Sequence, residues 1–444
     1  MQVISILGAG LSATDLIDYL IDRAEENNWK IRIGDFDLAT AKRKARNHSH
    51  AAAFLFDVMS EADVEVAVKQ SDIVVSMLPA RFHSIIAKRC VEMKKHMLTA
   101  SYVSKDMQAL DEEAKKAGVI LLNELGVDPG IDHMSAMKVI HKLQNEGAEL
   151  LGFYSSTGGL VAPESDNNPW NYKFTWNPRN VVLAGQGVSM FIRNGLLKFI
   201  PYHKLYERAT KLEIEGYGKF EMYPNRDSLS YRQTYGLEKI QTILRGTIRR
   251  DGYCKAWNVF VQLGATDDTY TIENSEHLTY RQFINLFLKF DEKLTVEEKL
   301  RAYLPFVDEV VMSKLEWLGI FGDTKVGLKN ATPAQILQKI LEEKWGLDPQ
   351  DKDMIVMQHQ FEYKTKTAEN KKIISSMVMI GKDTVHTAMS MTVGLPLAIA
   401  VKMVATKTFT KAGVHIPVTP DLYLPILEEL KDFGIDFTEE EFNL

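Results

Sequence analysis

Six short apolar runs constrain the first 125 residues more than any other feature: 3–7 (VISIL), 31–35 (IRIGD), 53–57 (AFLFD), 72–77 (DIVVSM), 97–101 (MLTAS) and 119–123 (VILLN). Turn residues bound each run, and the stretches between them, such as TDLIDYLIDRAEE, space apolar residues three and four apart. Strands this continuously apolar, alternating with helices, need cover on both faces, which predicts a parallel sheet in an α/β fold. The chain has 444 residues, more than one core of about 100–200 residues serves, so further domains are expected.

The first run leads into GAGLSA, where Gly8, Gly10 and Ala13 fit the GxGxxG/A spacing directly between a strand and a helix. Gly8 suits a tight turn, Gly10 lets backbone amides approach a pyrophosphate at the positive helix end, and Ala13 is small enough for the helix to pack on the strand. Leu11 and Ser12 complete this dinucleotide loop. Asp35 ends the second run, 25 residues past Gly10. A carboxylate there accepts hydrogen bonds from ribose hydroxyls and repels a 2′-phosphate, so NAD is the expected cofactor. The basic stretch AKRKAR behind it keeps NADP open through Arg43 or Lys44. Ligands of open α/β sheets sit at the carboxyl ends of the strands, which adds Asp57 and Val58 after the third run and Ser76, Met77 and Leu78 after the fourth.

A net charge of -6 argues against a nucleic-acid partner, which usually demands a basic face. Cys90 and Cys254 are isolated, which excludes a disulfide framework and a cysteine metal site and points to a reducing compartment. The chain opens without a basic leader and has no run of 18 apolar residues, so a cytoplasmic protein with no membrane partner is expected. The eleven histidines form no paired-ligand pattern, no metal is expected, and NHSH at 47–50 reads as a polar loop.

The segment NELGVDPGID at 123–132 leaves the sixth run carrying three carboxylates, two glycines and a proline, with His133 next. Pro129 restricts Asp128 and Gly130 permits backbone geometry that other residues resist, a rigid mount for Asp128. A structural hydrogen bond is expected of His133. Further on, Asn194-Gly195 and Asp251-Gly252 are hairpin signals, and 278–346 has helical spacing throughout.

The segments TASYVS, NELGVDPGIDH, STGGLVAPESDNNPWNYKFTW, YPNRDS and TILRGTIR, in this order and spacing, closely resemble the saccharopine reductase family, the glutamate-forming saccharopine dehydrogenases of lysine metabolism. The likeness runs nearly end to end, as far as VGLPLAIAVKMV and GVHIPVTPDLYLPILEELKDFGI. It implies a Rossmann-type parallel-sheet domain at 1–127 and 384–444. It also implies an α+β substrate domain with an antiparallel sheet at 128–277 and 347–383, and a helical insertion at 278–346. The implied reaction is hydride transfer between saccharopine and NAD or NADP, yielding L-glutamate and L-2-aminoadipate 6-semialdehyde. These small molecules are the expected partners, and a homodimer is the candidate assembly.

The resemblance carries substrate contacts onto Ser101, Tyr102, Asp128, Arg226, Arg245 and Thr247, with Tyr102 and Asp128 as the catalytic, proton-handling candidates. Arg226 and Arg245 suit a substrate with three carboxylates, because guanidinium binds carboxylate through two parallel hydrogen bonds. Two departures stand out. Thr157 replaces a cysteine common in the family, and Asp35 stands where many NADP-dependent members carry a basic residue. Two other readings fit part of the sequence. A sister dehydrogenase condensing another aldehyde and amine, like carboxynorspermidine synthase, would keep a DPG loop without a three-carboxylate pocket. A non-catalytic dinucleotide sensor would keep GAGLSA and lose the substrate-side motifs. Arg226 and Arg245 count against both.

Overall fold

The apolar runs become strands β1 (Gln2–Leu7), β2 (Trp29–Asp35), β3 (Ala51–Leu55), β4 (Ile73–Ser76), β5 (His96–Thr99) and β6 (Ile120–Leu122) in the computed structural model, which describes Met1–Leu444. A seventh strand, Gly413–His415, comes from the far end of the chain; its three residues are too few to carry a periodic signal. All seven pair in parallel in the order Gly413–His415, β6, β5, β4, β1, β2, β3. The order reverses between β1 and β4, the crevice in which such sheets receive ligands.

This sheet belongs to the first of two compact units, Met1–Glu149 with Lys364–Glu369 and Met377–Glu440. Helix Ile131–Asn145, assigned by the sequence reading to the substrate domain, therefore lies in the sheet unit. It packs there against helix Pro420–Leu430, with the Tyr423 hydroxyl 2.9 Å from His141 Nδ1. The returning chain also supplies helix Ala388–Ala405, which lies against helix Thr14–Asp22, where the Asp15 amide donates to Ser390 Oγ. By length and composition this helix could cross a membrane, although polar residues interrupt its apolar run in sequence. It is 78% buried inside the unit, as a core helix is.

The second unit spans Leu150–Tyr363, Asn370–Ser376 and Glu441–Leu444. Its strands are β7 (Glu149–Val161), β8 (Val188–Arg193), β9 (Leu196–Pro201), β10 (Thr210–Ile214), β11 (Gly218–Pro224), β12 (Thr242–Arg250), β13 (Asp353–Lys364) and β14 (Asn370–Ile380). The main path runs β10, β11, β12, β7, β13, β14 and Thr438–Asn443, with β8 paired to β12 and β9 to β8 off it. The β10–β11–β12 pairings are antiparallel, whereas β12 runs parallel to β7. The sheet is thus mixed rather than antiparallel, because about 80 residues separate β7 from β12 and leave room for a crossover.

Asn194-Gly195 forms the expected hairpin between β8 and β9, with Arg193 opposite Leu196. Asp251-Gly252 does not: Gly252, at φ +84°, caps helix Tyr253–Leu263, because a glycine that accepts left-handed geometry serves a helix start as well as a turn. Residues 278–346 are helical as anticipated but belong to the second unit. Three of their helices start at Thr279, Thr295 and Thr332, each paired with Gln or Glu three residues on in a reciprocal capping box. Trp345, just beyond, joins Trp170, Tyr172, Phe174, Tyr253 and Trp257 in a buried aromatic core.

Candidate active site

The turn after β1 has the geometry its residues suggest. Gly8 sits at φ +102°, and a Cβ there would lie 2.8 Å from the Met77 carbonyl oxygen. Gly10 is exposed and a Cβ on it would meet open space, so the backbone is bare where a ligand would approach. Leu11–Ala13 form a single 3-10 turn leading into helix Thr14–Asp22. Leu11 is exposed, Ser12 half-buried and Ala13 buried. An open glycine, bare amides and a positive helix end together fit a pyrophosphate.

Asp35 ends β2, buried, with each carboxylate oxygen taking a backbone N–H: Oδ2 from Ala9 at 2.7 Å and Oδ1 from Asp37 at 2.9 Å. The two basic candidates nearby are engaged elsewhere. Arg43 donates to Thr40 Oγ1 at 2.7 Å, and the Lys44 ammonium contacts Thr14 Oγ1, its pKa lowered by burial. Phe36, next to Asp35, is 82% exposed. Asp57 and Val58 lie in the loop beyond β3; Asp57 is exposed and its carboxylate caps the Met59 amide, a turn role.

Ser76 ends β4, fully buried, and its hydroxyl lies 2.8 Å from His83 Nδ1. His83 Nε2 lies 2.7 Å from the Ser101 hydroxyl, which joins two residues that the sequence reading singled out separately. Met77 and Leu78 follow, half-buried; the Met77 carbonyl faces Gly8, and the Leu78 side chain packs on the sheet core. His83 itself was missed, since a lone histidine seven residues beyond a strand end matches no motif.

NELGVDPGID acts as a brace. Glu124, at φ +59°, accepts the Val103 amide on Oε1 at 2.9 Å and meets His133 Nε2 through Oε2 at 2.7 Å, and its own amide donates to the Ser101 carbonyl at 3.0 Å. His133 thus has the structural hydrogen bond expected of it, with a partner quoted in the same segment but not identified. The Gly126 amide donates to the Pro129 carbonyl at 2.8 Å, and the Gly130 amide to Asp132 Oδ1 at 2.6 Å. Gly130, at φ +146°, has no room for a Cβ, which would lie 2.1 Å from the Gly126 oxygen. On this frame the Tyr102 hydroxyl donates to Asp128 Oδ1 at 3.0 Å, bringing the two proton-handling candidates together.

Arg226, Arg245 and Thr247 belong to the second unit. Arg245 is 5% exposed on β12, its guanidinium 3.9 Å from the centre of the Tyr231 ring, a stacking partner that no motif marks in the sequence. Its amide donates to Ser228 Oγ at 2.9 Å and its carbonyl accepts the Asn225 amide at 2.8 Å, so the YPNRDS loop is laced to β12. Arg226 in that loop is exposed at φ +31°, its carbonyl accepting the Met190 amide. Thr247 is half-buried, opposite Tyr223 on β11 and Thr157 on β7. Thr157 is buried with its hydroxyl lacking a partner.

A parallel-sheet unit with an open glycine turn, in one chain with a unit carrying a stacked, buried arginine, has the build of a dinucleotide-dependent oxidoreductase. Residues 4–122 match the saccharopine dehydrogenase NADP binding domain, and residues 126–435 the saccharopine dehydrogenase C-terminal domain. A curated relative from Schizosaccharomyces pombe, named saccharopine dehydrogenase [NADP(+), L-glutamate-forming], is 33% identical over 99% of both chains. The mouse mitochondrial alpha-aminoadipic semialdehyde synthase is 32% identical, matching 98% of this chain and 47% of its own length. The apo structure of the L-Glu-forming saccharopine dehydrogenase of Saccharomyces cerevisiae superposes with a TM-score of 0.91, at 30% identity and full coverage of both chains. The chain belongs to the saccharopine dehydrogenase family.

Proposed function

We propose that this chain oxidises saccharopine with NAD, its first unit holding the dinucleotide and its second recognising the substrate carboxylates. The carrying observation is Asp35, whose buried carboxylate is fixed by the Ala9 and Asp37 amides at the end of β2 while Arg43 and Lys44 are tied to Thr40 and Thr14. A 2′-phosphate would meet a fixed negative charge there, whereas ribose hydroxyls would find an acceptor. The fungal relatives are named for NADP(+), so an NAD preference would set this chain apart from them.

An oxidised nicotinamide bound at the first unit would supply the hydride acceptor for the lysine-derived carbon beside the secondary amine, and hydrolysis would then release glutamate and the aldehyde. Asp128 accepts the amine proton and stabilises the positive charge that grows on nitrogen, while Tyr102 holds its Oδ1 in place. Arg245, its guanidinium plane oriented by Tyr231, and Arg226 neutralise substrate carboxylates, and Ser101 and Thr247 offer hydroxyl donors. Thr157 cannot ionise near neutral pH, so the chemistry runs without a thiol at that position.

The test mixes purified protein with L-saccharopine and either NAD or NADP, follows reduced nicotinamide by absorbance, and identifies products by mass spectrometry. Glutamate and aminoadipate semialdehyde forming faster with NAD is the expected result. Turnover only with NADP discards the Asp35 reading, and no turnover with either discards the substrate.

A further inference from the structure

The chain Ser76–His83–Ser101 crosses from the end of β4 to the residue before Tyr102, and no step above uses its central member. His83 is buried, and its two ring nitrogens lie 2.8 Å from the Ser76 hydroxyl and 2.7 Å from the Ser101 hydroxyl. We infer that His83 is a positioning residue that donates from Nε2 to the Ser101 oxygen and so turns the Ser101 hydrogen outward, as a donor for a substrate carboxylate. The inference deepens the proposed function and rests on Ser101 being a substrate contact.

The direction of the bonds follows from counting hydrogens. Burial pushes the His83 pKa down to about 4, so at neutral pH the ring carries one N–H and offers one acceptor. Ser76 is fully buried, and the only acceptor within reach of its hydroxyl is His83 Nδ1. If Nδ1 carried the hydrogen, it would donate to Ser76 and leave the Ser76 hydrogen buried without an acceptor, an arrangement disfavoured about tenfold or more. Nδ1 therefore accepts from Ser76 and Nε2–H donates to Ser101. Ser101 is half-buried, and its hydrogen, not needed by His83, is free to point away from the ring. A carboxylate has only acceptors, so a serine whose hydrogen was taken by the histidine could not serve it. The Ser101 backbone is held as well, its carbonyl by the Glu124 amide, so the hydroxyl has a fixed origin.

The tautomer can be read without substrate. Long-range proton–nitrogen NMR of protein labelled at histidine nitrogens, with His83→Gln identifying the His83 signals, should show Nε2 protonated and Nδ1 bare. A protonated Nδ1 overturns the inference. Kinetics test the consequence. His83→Asn keeps an amide near Ser76 but withdraws the donor from Ser101, so the saccharopine KM should rise about tenfold, with kcat within twofold and dinucleotide Kd unchanged. His83→Gln, whose amide nitrogen reaches the Nε2 position, should restore the KM to within about threefold. An unchanged KM in the asparagine variant, or equal losses in both variants, overturns the inference. Absence of saccharopine turnover in the wild type would fault the proposed substrate instead, while the tautomer still decides the direction of the relay.

Discussion

Asp35→Asn removes the charge at the proposed cofactor site while nearly keeping the side chain's shape, at the loss of one of the two backbone amide bonds, since the asparagine nitrogen cannot accept. In the wild type the ionised carboxylate is fixed at both oxygens, by Ala9 N at 2.7 Å and Asp37 N at 2.9 Å, so it cannot swing away from an approaching phosphate. At a separation of about 5 Å and an effective dielectric between 20 and 80, each unit of phosphate charge is repelled by about 1–3 kcal/mol. After salt screening, a 2′-phosphate should lose about 10- to 100-fold in affinity. The asparagine removes that repulsion and weakens the hydrogen bond to a ribose hydroxyl, so NADP improves about tenfold or more while NAD worsens a few-fold. The assay is kcat/KM for each dinucleotide at saturating saccharopine, run at low and high salt. The NAD-to-NADP ratio should fall at least tenfold in the variant, and the difference should shrink as salt rises. Adding Phe36→Arg, at a position 82% exposed, should push the preference further toward NADP. A ratio that moves less than twofold, or shows no salt dependence, would refute the reasoning.

Arg245→Lys keeps a cation but loses both the Tyr231 stack and the planar fork, so the saccharopine KM should rise about 10- to 30-fold with the dinucleotide KM unchanged, as initial rates would report. Gly130→Ala places a methyl 2.1 Å from the Gly126 oxygen at φ +146°, so it should cost about 3 kcal/mol or more and lower kcat at least 100-fold, read by thermal melts and turnover. His83 also sets a pH dependence. Its pKa lies near 4 in the fold against 6.5 for an unburied ring, so below pH 6.5 the unfolded chain takes up a proton that the folded chain does not. Stability should therefore decline as pH falls from about 6.5 to about 4, by about 3 kcal/mol in total from this residue. Urea midpoints for wild type and His83→Gln should diverge at pH 7 and converge toward pH 4.

Much of the first unit is legible in the sequence because its signals are local. Six apolar runs, a glycine turn and a carboxylate at a strand end each lie within a few residues, and the structure keeps them as β1 to β6, the Gly8 turn and Asp35. What is not legible depends on distant partners. Gly252 looks like a hairpin glycine until the helical spacing of YCKAWNVFVQL is given weight. Helix Ile131–Asn145 follows the DPG loop in sequence, but its partner, helix Pro420–Leu430, lies almost 280 residues on. At the candidate site, the residues that carry motifs are legible in the sequence and the residues that brace them are not. Glu124 lay in plain view among three carboxylates, yet its bonds to Val103 and His133 exist only once the chain has turned back on itself. His83 and Tyr231 gave no signal, because a histidine bridging two serines and a tyrosine under an arginine are defined by three-dimensional neighbours.

The late return of helix Ala388–Ala405 has a consequence for synthesis on the ribosome. The strands β1 to β6 are complete by Leu122, but the apolar helix that lies on Thr14–Asp22 is made only after another 260 or so residues. At about 5–20 residues per second, that interval lasts roughly 15–50 s. Throughout it, the face of helix Thr14–Asp22 on which this helix lies lacks that cover. The nascent dinucleotide unit is therefore a substrate for chaperones before it can be a binder of dinucleotide. A fragment ending at Glu149 should aggregate when expressed alone and become soluble when residues 377–444 are supplied as a second chain.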